Sequence, residues 1–497
     1  MPRYIMSIDQ GTTSSRAIIF DSSGSPVSSS QREFTQHFPR PGWVEHDPDE
    51  IWASVKAVIR ESLQNAGIDS SDVAAIGITN QRETTVLWDS ATGEPVYNAI
   101  VWQSRQSAGI CEELRAAGLE PEFRDKTGLM LDAYFSATKI AWALRNIDGL
   151  KSLMNSGRLK FGTVDSWIVH KLTKGKAHIT DLTNASRTLL FNIIDRKWDL
   201  ALLDHLGISA SVLPEVCESS GILAHTDPEE FFGSSTAICG IAGDQQAALF
   251  GQLCLRPGEV KSTCGTGSFL LMNTGATPVR SQNGLLTTLA CPVDGNPAYA
   301  LEGSIFVAGS AVQWIRDGLR IVDSSWETDS MASSLSGNDG VYFVPAFVGL
   351  GTPYWNQDAR GTITGITRGT TRAHIARATL ESIAYQTKDV LDAMAQDSGI
   401  SIAAIKVDGG MAKNDFMMGF MADVTGLEVI RPTYMESTAL GAAYLAGLGI
   451  GIWKDTTEIE ANWRADRGFT PGISRAEAGA LHLGWKKSIK AALAVCS

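Results

Sequence analysis

The chain of 497 residues carries 44% hydrophobic and 19% charged residues, the balance of a globular chain too long for one core, so two large domains or about three smaller ones are expected. A formal net charge of -12 with no basic run argues against nucleic acid as a partner, because a phosphate backbone is bound by clustered Lys and Arg. Seven scattered cysteines without a CxxC pair and eight histidines without ligand spacing argue against a zinc site or a disulfide framework, and imply thiols in a reducing compartment.

The N-terminal stretch has no apolar leader core, because Asp9 and Arg16 interrupt it, which makes the cytoplasm the expected location. Short β-rich flanks, Tyr4 to Ile8 and Ala17 to Phe20, enclose Asp9, Gln10, Gly11, Thr12, Thr13, Ser14 and Ser15, which predicts a hairpin. Its tip offers hydroxyls and backbone N–H groups with a carboxylate beside them, a combination that suits a phosphate with its magnesium or an ordinary polar turn. A helix is expected over about 50–65, followed by strands at 73–79, 84–88 and 96–102 in a meander closed by the turn residues Asp89 to Pro95. In that segment Arg82 and Glu83 sit side by side at a turn, where they either grip a polyhydroxy molecule or form solvated surface. Trp102 and Tyr134 are candidates for apolar walls or for core. A further helix is expected over about 136–146.

In ICGIAGDQQAALFG (238–251) an apolar strand ends at Gly243–Asp244 and a helix begins. Asp244 therefore stands at the carboxyl end of a strand, as a proton acceptor for an attacking hydroxyl or as a helix cap. Near this point, at about residue 250, a domain boundary is expected. EVKSTCGTGSFLLMNTG (259–275) repeats the strand, Gly/Thr/Ser turn, strand pattern of the N-terminus, which argues for a duplicated architecture. Helices are expected near 310–320 and 372–396, a strand at 405–407, and a buried helix in TALGAAYLAGLGIGIW, too short for the roughly 20 residues of a membrane span. Gly309 opens a helix whose N-terminus favours phosphate oxygens. The Gly409–Gly410 pair with Asn414 either lets a flat base lie on the backbone or makes a plain strand–turn–helix corner. No GxxxxGK[ST] occurs, and neither CGTGSF nor VGLGTP completes a dinucleotide fingerprint.

Taken in order, IDQGTTSSRA, PGWVEHDP, TNQRET, AIVWQ, YFSATK, GIAGDQQAALFGQ, GTGSF, GTPYW, ARGTITGITRGT, DGGMAKN and TALGAAYLAG resemble the FGGY carbohydrate kinases over nearly the whole chain. The resemblance implies an α/β fold of two ribonuclease-H-like domains of the actin, hexokinase and Hsp70 type with ATP and substrate in a cleft between them. Residues 1–250 would carry the acceptor site and the first phosphate loop, and 251–497 the second phosphate loop and the adenosine site. NQRET, unlike the segment of pentulose and hexonate kinases, narrows the acceptor to glycerol, so the implied reaction is ATP-dependent phosphorylation of glycerol to sn-glycerol 3-phosphate. By the same resemblance Arg82, Glu83, Trp102, Tyr134, Asp244, Gln245 and Phe269 contact glycerol, with Asp244 as general base. Thr12, Thr13, Ser14, Arg16, Thr266, Gly309, Gln313, Gly410 and Asn414 contact the nucleotide, and Asp9 and Asp244 stand at Mg2+. It further implies a homodimer or homotetramer with no nucleic-acid partner and no membrane insertion. FFGSSTAICG lacks the Arg with which some bacterial members bind a sugar bisphosphate, so that inhibition is not expected. A different polyol or dihydroxyacetone as acceptor, or a silent actin-like nucleotide-binding scaffold, are the competing readings.

Overall fold

The computed structural model describes residues 4–293 and 295–494. The chain forms two compact units, and they are not contiguous halves. The first holds the residues up to Leu253 together with Thr288–Ala298 and Ser437–Asn462; the second holds Cys254–Thr287, Tyr299–Glu436 and the residues from Trp463 on.

The first unit is built on a six-stranded sheet. Its N-terminal hairpin, Tyr4–Gln10 with Ser14–Phe20, pairs antiparallel, and Pro26–Glu33 extends it on the outside. On the other side Val73–Asn80 lies parallel to Tyr4–Gln10, Ala237–Gly243 lies parallel to Val73–Asn80, and Ser220–His225 closes the edge. The expected meander is therefore corrected. Val73–Asn80 does not pair with the strand that follows it, because it is the centre of the sheet, and a strand with parallel neighbours on both sides reads as a continuous apolar run. Val86–Asp89 turns away to pair with Leu159–Gly162, while bridges Thr85–Ile100 and Trp88–Pro95 close the turn residues Asp89 to Pro95. Helix Pro48–Ala66 starts at Asp47, whose carboxylate accepts from the N–H groups of Asp49 and Glu50, and ends at the left-handed Gly67. It buries Ile51, Val55, Val58 and Ile59 against the hairpin side of the sheet.

The second unit repeats this design in a seven-stranded sheet. Val260–Cys264 and Ser268–Gly275 form its hairpin, Asn296–Ile305 lies antiparallel outside it, and Ala404–Asp408 and Glu428–Pro432 follow in parallel. Each unit thus has an antiparallel trio continued by two parallel strands, the order expected of a duplicated ribonuclease-H-like fold. The 27-residue helix Arg372–Ser398 covers the second sheet with Asp415–Thr425 beside it.

The small-residue run resolves as helix Ser437–Ile450, buried through most of its length. It lies on strands Val73–Asn80 and Ala237–Gly243 and on helix Asp244–Gly251, which is why it belongs to the first unit and crosses the division expected at 250/251. Such contact requires bare backbone: a Cβ on Gly441 would stand 1.8 Å from the Ala247 carbonyl oxygen. Neither partner is a movable side chain. Gly441→Ala is expected to cost about 1–3 kcal/mol or more of stability, measurable by denaturant unfolding, as overpacking does. Among the described residues no helix is long and apolar enough to cross a membrane. Cys111, Cys217, Cys239, Cys254, Cys264 and Cys291 are free thiols, and Cys496 lies outside the described residues.

Candidate active site

The parallel strands of the first unit end together. Gln10, Asn80 and Gly243 stand in one row across the sheet, so the hairpin tip, the Arg82–Glu83 turn and the Asp244 helix all emerge at the same carboxyl edge, the edge at which open α/β sheets bind ligands.

Asp244 is the first residue of helix Asp244–Gly251, and the cap position belongs to Gly243. Its carboxylate accepts from the backbone N–H of Gln245 at 2.7 Å and from the Gln245 amide at 3.2 Å, and it caps no later N–H of the helix. Gly243 thus holds the cap position, and the Asp244 carboxylate satisfies a first-turn N–H from within the helix. Arg82 Nε lies 3.1 Å from Asp244 Oδ1. The Asp244 side chain is 31% exposed whereas that of Arg82 is 2% exposed, so one carboxylate edge reaches solvent above a buried cation. Two contacts set the position of this pair. Arg82 Nη1 donates to Gln246 Oε1 at 3.3 Å, and the Gln246 amide donates to Thr288 Oγ1 and the Leu289 carbonyl. The Gly243 N–H donates to Thr183 Oγ1 at 2.9 Å, and the Thr183 hydroxyl donates to the buried carboxylate of Asp181 at 2.7 Å.

Glu83 is buried beside Arg82, its Oε1 3.9 Å from Arg82 Nε and 2.7 Å from Arg187 Nε. The two turn residues are thus no solvated surface. They belong to a row of alternating charge, Arg187, Glu83, Arg82, Asp244, that runs from a fully buried guanidinium to a part-exposed carboxylate. Trp102 and Tyr134 are half-buried, with ring centroids 5.5 Å apart at 65°. Neither is core. The Trp102 indole N–H donates to Thr12 Oγ1 at 3.0 Å, which ties this ring pair to the hairpin tip.

The tip itself is closed by the Gly11 N–H donating to the Ser14 carbonyl at 2.9 Å. Thr13 is exposed, and Asp9, Thr12, Ser14 and Arg16 are half-buried, with Asp9 opposite Arg16 in the ladder. Two amides hold the tip: the buried Gln81 donates to the Gly11 carbonyl and to Gln10 Oε1, and the half-buried Gln36 donates to the Thr12 carbonyl. His46 contacts the Gln36 amide oxygen at 2.7 Å, and burial pushes its pKa down to about 4, so the ring is neutral near pH 7.

In the second unit Thr266 and Gly309 are brought together. Thr266 is exposed at the hairpin turn, and its carbonyl accepts from the N–H groups of Ala308 and Ser310 while the Gly309 N–H donates to the Gly265 carbonyl. Gln313 is exposed one turn along helix Gly309–Asp317. Gly410 opens the short turn after Ala404–Asp408. Asn414 is buried and its side chain accepts from the Met417 N–H at 2.8 Å, so it caps helix Asp415–Thr425. Phe269 is half-buried in strand Ser268–Gly275.

Sequence reasoning missed Arg187, Lys139, Thr183 and Gln246. Gln246 follows Gln245 and Lys139 closes YFSATK, both in motifs already singled out; Arg187 and Thr183 carry no local signal, since Arg187 reaches Glu83 and Thr183 reaches the Gly243 N–H far along the chain. Lys139 is fully buried, and its ammonium meets the carbonyls of Tyr134 and Glu83. Burial, partly opposed by the Glu83 charge, holds its pKa down to about 7.

Paired α/β units with hydroxyl-rich hairpins and a strand-end carboxylate gripped by arginine describe a sugar or polyol kinase of the actin-like fold. The chain belongs to the FGGY family of carbohydrate kinases: the family's N-terminal domain matches residues 4–251 and its C-terminal domain residues 260–450. Within that family it is 58% identical over 494 residues to the glycerol kinase of Bacillus subtilis (strain 168), covering 99% of this chain and 100% of that protein. The glycerol kinase of Petrotoga mobilis (strain DSM 10674 / SJ95) is 57% identical over 492 residues, covering 99% of each chain. The crystal structure of Plasmodium falciparum glycerol kinase with ADP superposes with a TM-score of 0.93 at 37% identity, covering 99% of this chain and 98% of that one. Gluconate kinase from Lactobacillus acidophilus, at 23% identity and a TM-score of 0.88, shares the fold.

Proposed function

We propose that this protein transfers the γ-phosphoryl group of ATP to a terminal hydroxyl of glycerol, giving sn-glycerol 3-phosphate and ADP. The observation that carries the proposal is the part-exposed Asp244 carboxylate held by the buried Arg82 next to Glu83, at the sheet edge where the phosphate-type hairpin also ends. The identity of 56–58% to glycerol kinases over nearly full length supports glycerol rather than a longer acceptor.

In this reading Arg82, Glu83, Tyr134 and Gln245 hold the hydroxyls and Trp102 and Phe269 flank the carbon chain. The hydroxyl oxygen forms the new bond to the γ-phosphorus as the bond to the β–γ bridging oxygen breaks, and the hydroxyl proton passes to an Asp244 oxygen and then to water. Phosphoryl transfer has a loose transition state with little charge on the attacking oxygen, so Asp244 chiefly orients the hydroxyl and takes its proton late. Thr12, Thr13, Ser14 and Arg16 bind the phosphates from the first hairpin and Thr266 from the second, with the first 250 residues serving acceptor and first loop and the remainder the second loop and adenosine. Gly309, Gln313 and Gly410 face the nucleotide, and Asn414 acts there through the helix start it caps.

Asp9 and Asp244 would hold Mg2+. Among the described residues no cluster of three or more acidic, His or Cys ligands occurs, and two carboxylates at one sheet edge fit the usual magnesium mode, in which substrate phosphates and water complete the shell. When bound, the ion offsets phosphate charge. The reading also places the protein in the cytoplasm as a homodimer or homotetramer, which analytical ultracentrifugation distinguishes from a monomer.

The product tests the proposal. Phosphorus NMR of a completed reaction should show one phosphomonoester on a primary carbon, fully oxidised by a dehydrogenase specific for sn-glycerol 3-phosphate; a secondary ester or the opposite enantiomer would reject the assigned acceptor geometry.

A further inference from the structure

YFSATK contains two residues, Ser136 and Lys139, to which the proposed reaction gives no task, and both are buried. They lie one turn apart on helix Ser136–Asn146 and so share a face. Both point at a single atom: the Ser136 hydroxyl donates to the Glu83 carbonyl oxygen at 3.0 Å, and Lys139 Nζ lies 3.5 Å from the same oxygen. Lys139 also donates to the Tyr134 carbonyl. Glu83 adopts φ 61°, the left-handed region that non-glycine residues enter only when their surroundings hold them there. Its side chain is held as firmly as its carbonyl, by Arg187 Nε at 2.7 Å from Oε1. Arg187 is 0% exposed, and its guanidinium carbon stands 5.6 Å from the Tyr134 ring centroid and 5.3 Å from that of Phe135. The two clamping segments are joined directly, since the Ala137 N–H donates to the Thr188 carbonyl at 2.9 Å.

We infer that Arg187, Ser136 and Lys139 form a clamp that presets the left-handed Glu83, and with it Tyr134, for the acceptor, and that these three positioning residues tune acceptor affinity through Glu83. The inference rests on the reading of Glu83 as a glycerol contact. A planar guanidinium serves a carboxylate and two ring faces at once, which a point ammonium does not. The clamp lies wholly in the first unit, on the acceptor side of the proposed chemistry.

Steady-state kinetics of Arg187→Lys, Ser136→Ala and Glu83→Gln, with glycerol and ATP varied separately, test it. Because a hydrogen bond to a charged group is worth about 10- to 100-fold and one between neutral groups about 3- to 10-fold, Arg187→Lys should raise the glycerol KM about 10- to 100-fold, and the milder Ser136→Ala about 3- to 10-fold. The KM for ATP should stay within about twofold in both, as expected for loss of acceptor binding alone. In the Glu83→Gln background Arg187→Lys should add less than about twofold, since residues acting through one group are not additive. If Arg187→Lys does not fold, Ser136→Ala still decides. A weakened Glu83→Gln alongside wild-type glycerol KM in Ser136→Ala and Arg187→Lys overturns the clamp alone, as does an equal rise in both KM values. An unchanged glycerol KM in Glu83→Gln overturns the acceptor reading, and the clamp with it.

Discussion

Asp244→Asn is expected to lower kcat by about 100- to 10,000-fold, the range associated with a positioned general base. Asn fills the same space and can still accept from the Gln245 N–H, so the loss would report proton transfer and charge rather than collapse of the helix start. The KM for glycerol should move far less than kcat. The contact with Arg82 at 3.1 Å weakens when the carboxylate becomes an amide, but the guanidinium keeps Gln246 and the nearby Glu83. Near-normal turnover would show that Asp244 does not take the proton.

Arg82→Ala has the second large effect, and it acts on binding. The residue is buried between two carboxylates, but Glu83 keeps Arg187 and Asp244 is part-exposed, so its removal costs less than the roughly 3–5 kcal/mol of breaking a fully buried pair. Part of that cost should appear as lower stability in thermal unfolding. The rest should appear at the acceptor, as a glycerol KM raised about 100-fold or more while the ATP KM changes little, a split that identifies lost acceptor binding. Equal weakening of both substrates would refute the assignment of Arg82 to the acceptor side.

The elements that announced themselves in the sequence are those whose signal is local. IDQGTTSSRA and EVKSTCGTGSF were legible as hairpins because apolar flanks and turn residues fall within one short window, and GIAGDQQ as strand and helix because Gly243–Asp244 punctuates a change of period. Pairing between strands distant in sequence was not legible. Val73–Asn80 looked like one strand of a meander, yet its neighbours come from residues 4–10 and 237–243, and only burial on both faces distinguishes a central parallel strand. The division of the chain was blurred for a similar reason: Ser437–Ile450 is far along the sequence, but its glycines and alanines fit backbone surfaces of the first unit. At the site, the residue types at Arg82, Glu83 and Asp244 were visible, whereas their burial and their order in an alternating row of charge were not. Arg187, which begins that row, sits in TNASRTLL, a stretch without periodicity or motif, and acquires its place only when it meets Glu83 across 104 positions of sequence.

The central claim is that phosphoryl transfer by this chain depends on glycerol. The most direct test follows ADP release from Mg-ATP in a coupled assay with glycerol, dihydroxyacetone, erythritol, xylulose and gluconate, beside a control without acceptor. The account predicts rapid turnover with glycerol, far slower turnover with the longer acceptors, and a slow acceptor-free leak to water. A preference for xylulose or gluconate, or turnover indifferent to any acceptor, would contradict it.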